Sequence, residues 1–337
     1  MPLQVLVQAT FRSKATGLFQ PRAGAGRAAG CFTTCLVWGN QPAMSDPILC
    51  IGSVLWDVIA RAEHEMTPGH DSPGRITRQA GGVAYNVGAA LTDQGLAVEL
   101  LSAVGTDPEG DLLIAQTRAR GIGCDHILRV NEPTDSYMAL EQANGEVFGA
   151  VADCYTLEWA GAQILEPLTN GAIGSQARPF AGVVVVDGNL PERVLSTMCA
   201  RGDLAAAKTV FVPASPGKAA RLRALLQTER GTVFVNRIEA EILCEQRFDD
   251  SRAAAVALAE YGVSAIVTDG AREATIAIDG AVMSVTPPEV EVRTVTGAGD
   301  AFLAGYLVAD MAGEHPMQAM ISAADAAARH ISTATVP

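Results

Sequence analysis

The chain has 337 residues, 49% of them apolar, enough to bury a sizeable core as one large domain or two modest ones. Its net charge is −13, with 37 acidic against 24 basic residues, and such a surface repels nucleic-acid backbones and disfavours a DNA- or RNA-binding role. Apolar runs such as 183–186 are too short to span a membrane, and seven scattered cysteines with no Cys-x-x-Cys pair argue for reduced thiols in a cytoplasmic protein.

Residues 1–43 stand apart. They hold no acidic residue, four basic ones (Arg12, Lys14, Arg22, Arg27) and a Gly/Ala-rich stretch at 23–30. This extension reads as an organellar transit peptide or, by preference, as an over-extended gene start with Met44 as the true first residue. Either way it is expected to add nothing to the core fold. From Ile48 onward, short β-branched runs at 48–53, 98–104, 183–187, 210–212, 233–235 and 265–268 are nearly continuous in hydrophobicity, as strands buried on both faces are. Helical stretches at 112–120, 193–200, 219–226, 238–244 and 253–261 lie between them. The alternation predicts an α/β fold over 44–337: a doubly wound, mostly parallel central sheet flanked by helices. Two regions break it. Residues 57–80 are polar and rich in Pro, Gly and His, and 135–152 form a hairpin around Asn144-Gly145, a type I′ turn signal. Both are expected in a small β sheet projecting from the main one.

Two glycine sites carry the chemistry. Gly81-Gly82-Val83-Ala84-Tyr85-Asn86 opens a helix with Val83, Val87, Ala90 and Leu91 on one face and Gly95 as its C-terminal cap. The glycine pair lets a ligand come close to the backbone, and the Asn86 amide can both donate and accept, which suits a hydroxyl-rich ligand. In the second site, 290–295 alternates like a strand and 301–311 has helical spacing, ending at Gly313. Gly297, Ala298 and Gly299 therefore fall where a strand becomes a helix. The first helical N–H groups there have no intrahelical partner, the helix dipole adds positive charge, and phosphate binds such places. Asp300, in the first turn, is within reach of a hydroxyl attacking that phosphate. As a carboxylate at a helix start it is expected to keep a low pKa and to be ionised at neutral pH. Gly-Ala-Gly-Asp is also an ordinary way to write a turn and a cap. The upstream glycine pair tips the reading to phosphoryl transfer, by a route that uses no Gly-x-x-x-x-Gly-Lys-Ser/Thr loop.

Both signatures, in this order and most of a domain apart, resemble those of the ribokinase-type (PfkB) carbohydrate kinases, and the similarity runs from about residue 48 to 334. The resemblance implies a ribokinase-like fold in which 57–80 and 135–152 form a β lid over the sugar. It implies that Asp300 is the catalytic base, that the 297–299 amides form the anion hole, and that ATP is used with Mg²⁺. Asp57, Gly81, Gly82 and Asn86 would touch the substrate, with Asp153 and Asn189 as weaker candidates. Asn236, Thr268 and Gly270 would meet the nucleotide, and Glu239 would order the waters of the metal. Asn236-x-x-Glu239 also reads as a capping box, a role that can coexist with that function. Lys218 reads equally as a phosphate contact or a surface lysine.

Within the family the resemblance is to the pseudouridine kinases, on 72–76, 101–107, 134–137, 236–241 and the Val-Thr-Gly-Ala-Gly-Asp form of the second signature. Thr294-Val295 replaces the family's usual Asp-Thr, which puts monovalent-cation activation in doubt. The function implied is ATP-dependent phosphorylation of a primary hydroxyl on a small sugar or nucleoside, pseudouridine to pseudouridine 5′-phosphate first. Another sugar or nucleoside kinase of this fold is the alternative. A non-catalytic sugar- or nucleotide-binding regulator is a reading from another class, and it would have no need of Asp300. The implied partners are the small-molecule substrate and ATP, with no nucleic acid and no membrane; a homodimer is open.

Overall fold

A computed structural model describes residues 46–198, 200–228, 230–293 and 296–333; the 1–43 extension lies outside them. In chain order the strands are β1 (Ile48–Ile51), β2 (Leu55–Ala62), β3 (Gly74–Gly81), β4 (Val98–Leu101), β5 (Ala103–Gly105), β6 (Leu128–Val130) and β7 (Ser136–Glu141). They continue with β8 (Val147–Asp153), β9 (Val183–Asp187), β10 (Lys208–Val212), β11 (Thr232–Asn236), β12 (Ser264–Thr268), β13 (Ala274–Ile278) and β14 (Ala281–Val285).

Eight strands form the central sheet in the order β14-β13-β12-β11-β10-β9-β1-β4. The six from β12 to β4 run parallel, and β13 and β14 add an antiparallel edge. Alternate residues of each parallel strand enter different cores: Leu49, Ile51, Val184, Val186 and Val233 on one face, Ile48, Cys50, Val185, Val210 and Ile266 on the other. Both faces are therefore dry, as the continuous hydrophobicity of these runs requires. Helices Val83–Asp93, Ala298–Met311 and Pro316–Thr333 supply the second core, and Arg237–Cys244 and Ser251–Ala259 pack into the first. This is the doubly wound arrangement the alternation predicts. No helix of the described residues is long and apolar enough to cross a membrane.

Because β1 lies between β4 and β9, the chain winds one way from β1 to β4 and the other way from β9 onward. The carboxyl ends of β1 and β9 form the switch point, where open α/β sheets bind ligands.

A second sheet, in the order β3-β2-β7-β8, takes its strands from the two regions that interrupt the alternation. Its β7–β8 turn differs from expectation. Asn144 does not have positive φ; Gly145 does, at 86°, and the Gly145 N–H donates to the Gln142 carbonyl at 2.9 Å. The connection is a type I turn followed by a left-handed glycine, because the Asn144 side chain is taken by the Glu146 N–H at 2.9 Å. The two-residue type I′ turn sits instead at Asp279-Gly280 (φ 50° and 78°), between β13 and β14, a hairpin the apolar pattern alone does not announce. The 290–295 stretch is not a strand either: 290–293 are irregular, with 291–293 exposed and the Arg293 N–H given to the Ile331 carbonyl at 2.9 Å, and Thr294 and Val295 lie outside the described residues.

Candidate active site

The strand ends at the switch point are held by one buried carboxylate. Asp187, the last residue of β9, accepts the Ser53 N–H at 2.8 Å, the Ser53 hydroxyl, and the Asn189 N–H at 2.7 Å. Asn189 Nδ2 reaches Asp187 at 3.3 Å and Ser53 Oγ at 3.0 Å, while Asn189 Oδ1 accepts Lys218 Nζ at 2.6 Å. Gly52 makes room, since a Cβ there would overlap the Asp187 side chain.

The Gly81-Gly82 pair joins the second sheet to helix Val83–Asp93. Gly82 is the N-cap at φ 97°, and no side chain of its own caps the helix. Ser53 Oγ does so from the loop between β1 and β2, accepting the Val83 N–H at 3.0 Å. A Cβ on Gly81 would overlap the Asp57 carboxylate, and one on Gly82 would come within 2.6 Å of the Ser53 carbonyl. Both glycines thus answer to close approach. Asp57 stands on β2 opposite Gln79 and Tyr137, and burial pushes its pKa to about 6. Asp153 ends β8 exposed, in register with Ser136 and Trp56 and so on the other face of the sheet from Asp57.

Helix Ala298–Met311 starts at Gly297, at φ 80°, again with no side-chain cap. Its first N–H groups are left for a ligand. Asp300 in that turn lies beside Asn86 of the other glycine-capped helix, whose amide favours the ionised carboxylate. The low pKa expected for Asp300 is not found. Burial, then the charge of Asp187, raise it to about 7, and the Asn86 amide only partly opposes them. Desolvation outweighs the helix start because the carboxylate is largely withdrawn from water, and losing water costs more than a partial dipole returns. A base with a pKa near the working pH is well matched to proton transfer.

Beneath the loop, Phe234 and Phe302 stack with centroids 5.9 Å apart. Beside it, His330 Nε2 lies 3.0 Å from the Thr296 carbonyl. A cleft of about 600 Å³ opens past Ala298 and Gly299, lined further by Thr268, Gly270, Pro288 and Phe302. It is apolar and continuous with the free N–H groups, a shape that accepts a flat ring with phosphates at one end.

Asn236 ends β11 in register with Thr268 of β12. It forms a complete capping box: the Glu239 N–H donates to Asn236 Oδ1 and the Asn236 N–H to Glu239 Oε2, both at 2.9 Å. Burial pushes Glu239 to about 7. A carboxylate so short of positive charge fits a nearby cation, and no cluster of three or more metal-ligating side chains is present among the described residues. Asp269, inside the Thr268-Asp269-Gly270 loop, is occupied by Arg237 and Arg272.

The structure thus gathers Asp57, Gly81, Gly82, Asn86, Asn189 and Asp300 around the switch point, and Thr268, Gly270, Ala298 and Gly299 along the cleft. Ser53, Asp187 and His330 were not among the sequence candidates. An Asp closing the apolar run 183–186 was the one readable signal, because a strand buried on both faces seldom ends in an unexplained charge.

Residues 45–335 match the pfkB family carbohydrate kinase model. The chain is 32% identical over 270 residues to the pseudouridine kinase of Escherichia coli (strain K12), covering 77% of this chain and 82% of that protein. An uncharacterised sugar kinase of the same strain is 29% identical over 273 residues, covering 78% of this chain and 72% of that one. Among solved structures, a carbohydrate kinase from Agrobacterium tumefaciens superposes with a TM-score of 0.69 at 28% identity, over 84% of this chain and 90% of that one. The ribokinase of Thermotoga maritima shares the fold with a TM-score of 0.71 at 20% identity, over 85% of this chain and 93% of its own. The chain therefore belongs to the pfkB family of carbohydrate kinases, phosphotransferases that act on a hydroxyl group.

Proposed function

We propose that this protein phosphorylates the 5′-hydroxyl of pseudouridine from ATP, with Asp300 as the base. The observation that carries the reading is Asp300 itself: partly buried, beside Asn86 of the glycine-pair helix, and one residue beyond the uncapped N–H groups of 298 and 299. Asp300 takes the hydroxyl proton as the oxygen attacks the terminal phosphorus, a new P–O bond forms, and ADP leaves with the electrons of the broken one. The 297–299 amides receive the charge on the transferred group. Mg²⁺ arriving with the nucleotide, its waters ordered by Glu239, supplies charge neutralisation when bound. Asp57 accepts hydroxyls of the ribose, and Asn189 is a secondary contact. Asn236, Thr268 and Gly270 meet the nucleotide. The second sheet is the lid. Similarity to a pseudouridine kinase at 32% identity supports the nucleoside over a free sugar.

The test is coupled ADP release with pseudouridine, uridine, ribose and fructose side by side. Pseudouridine carries its ribose on carbon and so keeps an extra ring N–H. A buried acceptor for it would discriminate by about 100-fold or more in kcat/KM. Equal activity on ribose would refute the nucleoside reading and leave the kinase. Asp300→Asn should lower kcat by about 1,000-fold or more with little change in nucleotide affinity. A variant keeping a tenth of the turnover would sink the base assignment.

A further inference from the structure

Asp187 is wholly buried, and its partners are two backbone N–H groups, a hydroxyl and an amide. No basic side chain pairs with it among the described residues. An ionised group so placed is costly unless its charge serves a purpose. The hydrogen-bond directions suggest one.

A hydroxyl has a single proton to give. Ser53 gives its proton to Asp187, so its lone pairs must receive, and they take the Val83 N–H and Asn189 Nδ2, each at 3.0 Å. Lys218, by donating to Asn189 Oδ1, turns the amide so that its NH₂ faces Ser53 and Asp187. The Ser53 carbonyl also receives the Tyr85 N–H at 3.2 Å. With Asp187 as the acceptor every bond in the set points one way; burial raises its pKa, and the Ser53 and Asn189 donors oppose that rise. Three residues beyond Val83, Asn86 lies beside Asp300 and favours its ionised form.

We infer that Asp187 is a positioning residue for the transfer: through Ser53 it fixes the start of helix Val83–Asp93, and through Asn86 it holds the base Asp300 against the acceptor hydroxyl. This rests on the reading of Asp300 as the base. The charge also acts directly. The titratable groups near Asp187 are Asp300 from helix Ala298–Met311, Cys50 from β1 and, beyond Asn189, Lys218.

The test compares Asp187→Asn and Ser53→Ala with Asp300→Asn. In Asp187→Asn, kcat/KM for the acceptor should fall about tenfold or more while KM for ATP stays within about twofold. The acid limb of kcat should move to lower pH by about half a unit or more, because a negative neighbour of the base is gone. Ser53→Ala keeps the charge. It should raise the acceptor KM and leave the acid limb in place. A folded Asp187→Asn protein with wild-type acid limb and acceptor KM would overturn the inference, whatever its melting temperature. Should that variant not fold, Ser53→Ala decides, and unchanged acceptor KM overturns it. If Asp300→Asn stays active, the base reading itself falls; if only Asp187→Asn behaves as wild type, the positioning role alone falls.

Discussion

Glycines 297 and 299 look alike in the sequence and are held for different reasons. Gly297 has φ 80°, and a Cβ there would come within 2.8 Å of His330 Nε2. Gly299 is helical, and its nearest neighbour would be Phe234 at 3.8 Å, ordinary contact. The fold therefore needs glycine at 297 and does not need it at 299. Gly299→Ala should melt at or above the wild-type temperature, since Ala gains up to about 1 kcal/mol over Gly in a helix. It should nevertheless lose most turnover, because the methyl group occupies the approach to the anion site. Gly297→Ala should lose stability as well. Full activity in Gly299→Ala would remove that position from the anion hole. The motif was legible as letters, but not this division of labour, nor the pKa of Asp300. A helix start can be read from spacing; the charge of Asp187, 113 positions earlier in the chain, cannot.

At the scale of elements, what was readable was whatever one segment decides alone. The apolar runs of β1, β9 and β11 fix strands buried on both sides, and Asn236-x-x-Glu239 is a capping box in both sequence and structure. Choices between competing partners were not. Asn144 spends its side chain on Glu146 and gives up the type I′ turn; 290–293 has alternation, but the Arg293 N–H goes to the Ile331 carbonyl of the last helix. The ladder also sets which residues share a face: Tyr137 stands directly across from Asp57. A base bound under that sheet would meet the ring, a contact worth about 1–3 kcal/mol where aromatic rings stack on bases. Tyr137→Ala should therefore erode the preference for pseudouridine over ribose by about tenfold or more, with KM for ATP unchanged. An intact preference would exclude this sheet face from specificity.

For the molecule as a whole, the strand ends concentrate carboxyls that burial has made weak acids: Asp57 at about 6, Asp300 and Glu239 at about 7. In the unfolded chain such groups titrate near 4. Between roughly pH 4 and 7 the folded state binds more protons than the unfolded one, so stability falls as pH rises through that window and levels off above it. The surplus of acidic residues acts in the same direction. The free protein should melt several degrees higher at pH 6 than at pH 8. A flat or rising profile would contradict the buried, raised state of these groups. The overall α/β class was plain from alternation, whereas the position of β1 between β4 and β9, which creates the switch point, depends on long-range pairing that no local pattern encodes.

That store of protons gives nucleotide loading a thermal signature. A cation arriving beside Glu239 makes its carboxyl a stronger acid, so at neutral pH part of a proton must leave for the solvent. Calorimetric titration of Mg·ATP near pH 7 should then give heats that differ between phosphate and Tris buffers, whose ionisation enthalpies differ. The slope should correspond to about half a proton released per site. Each round of binding would be a small acid pulse, and each departure of product would take the proton back.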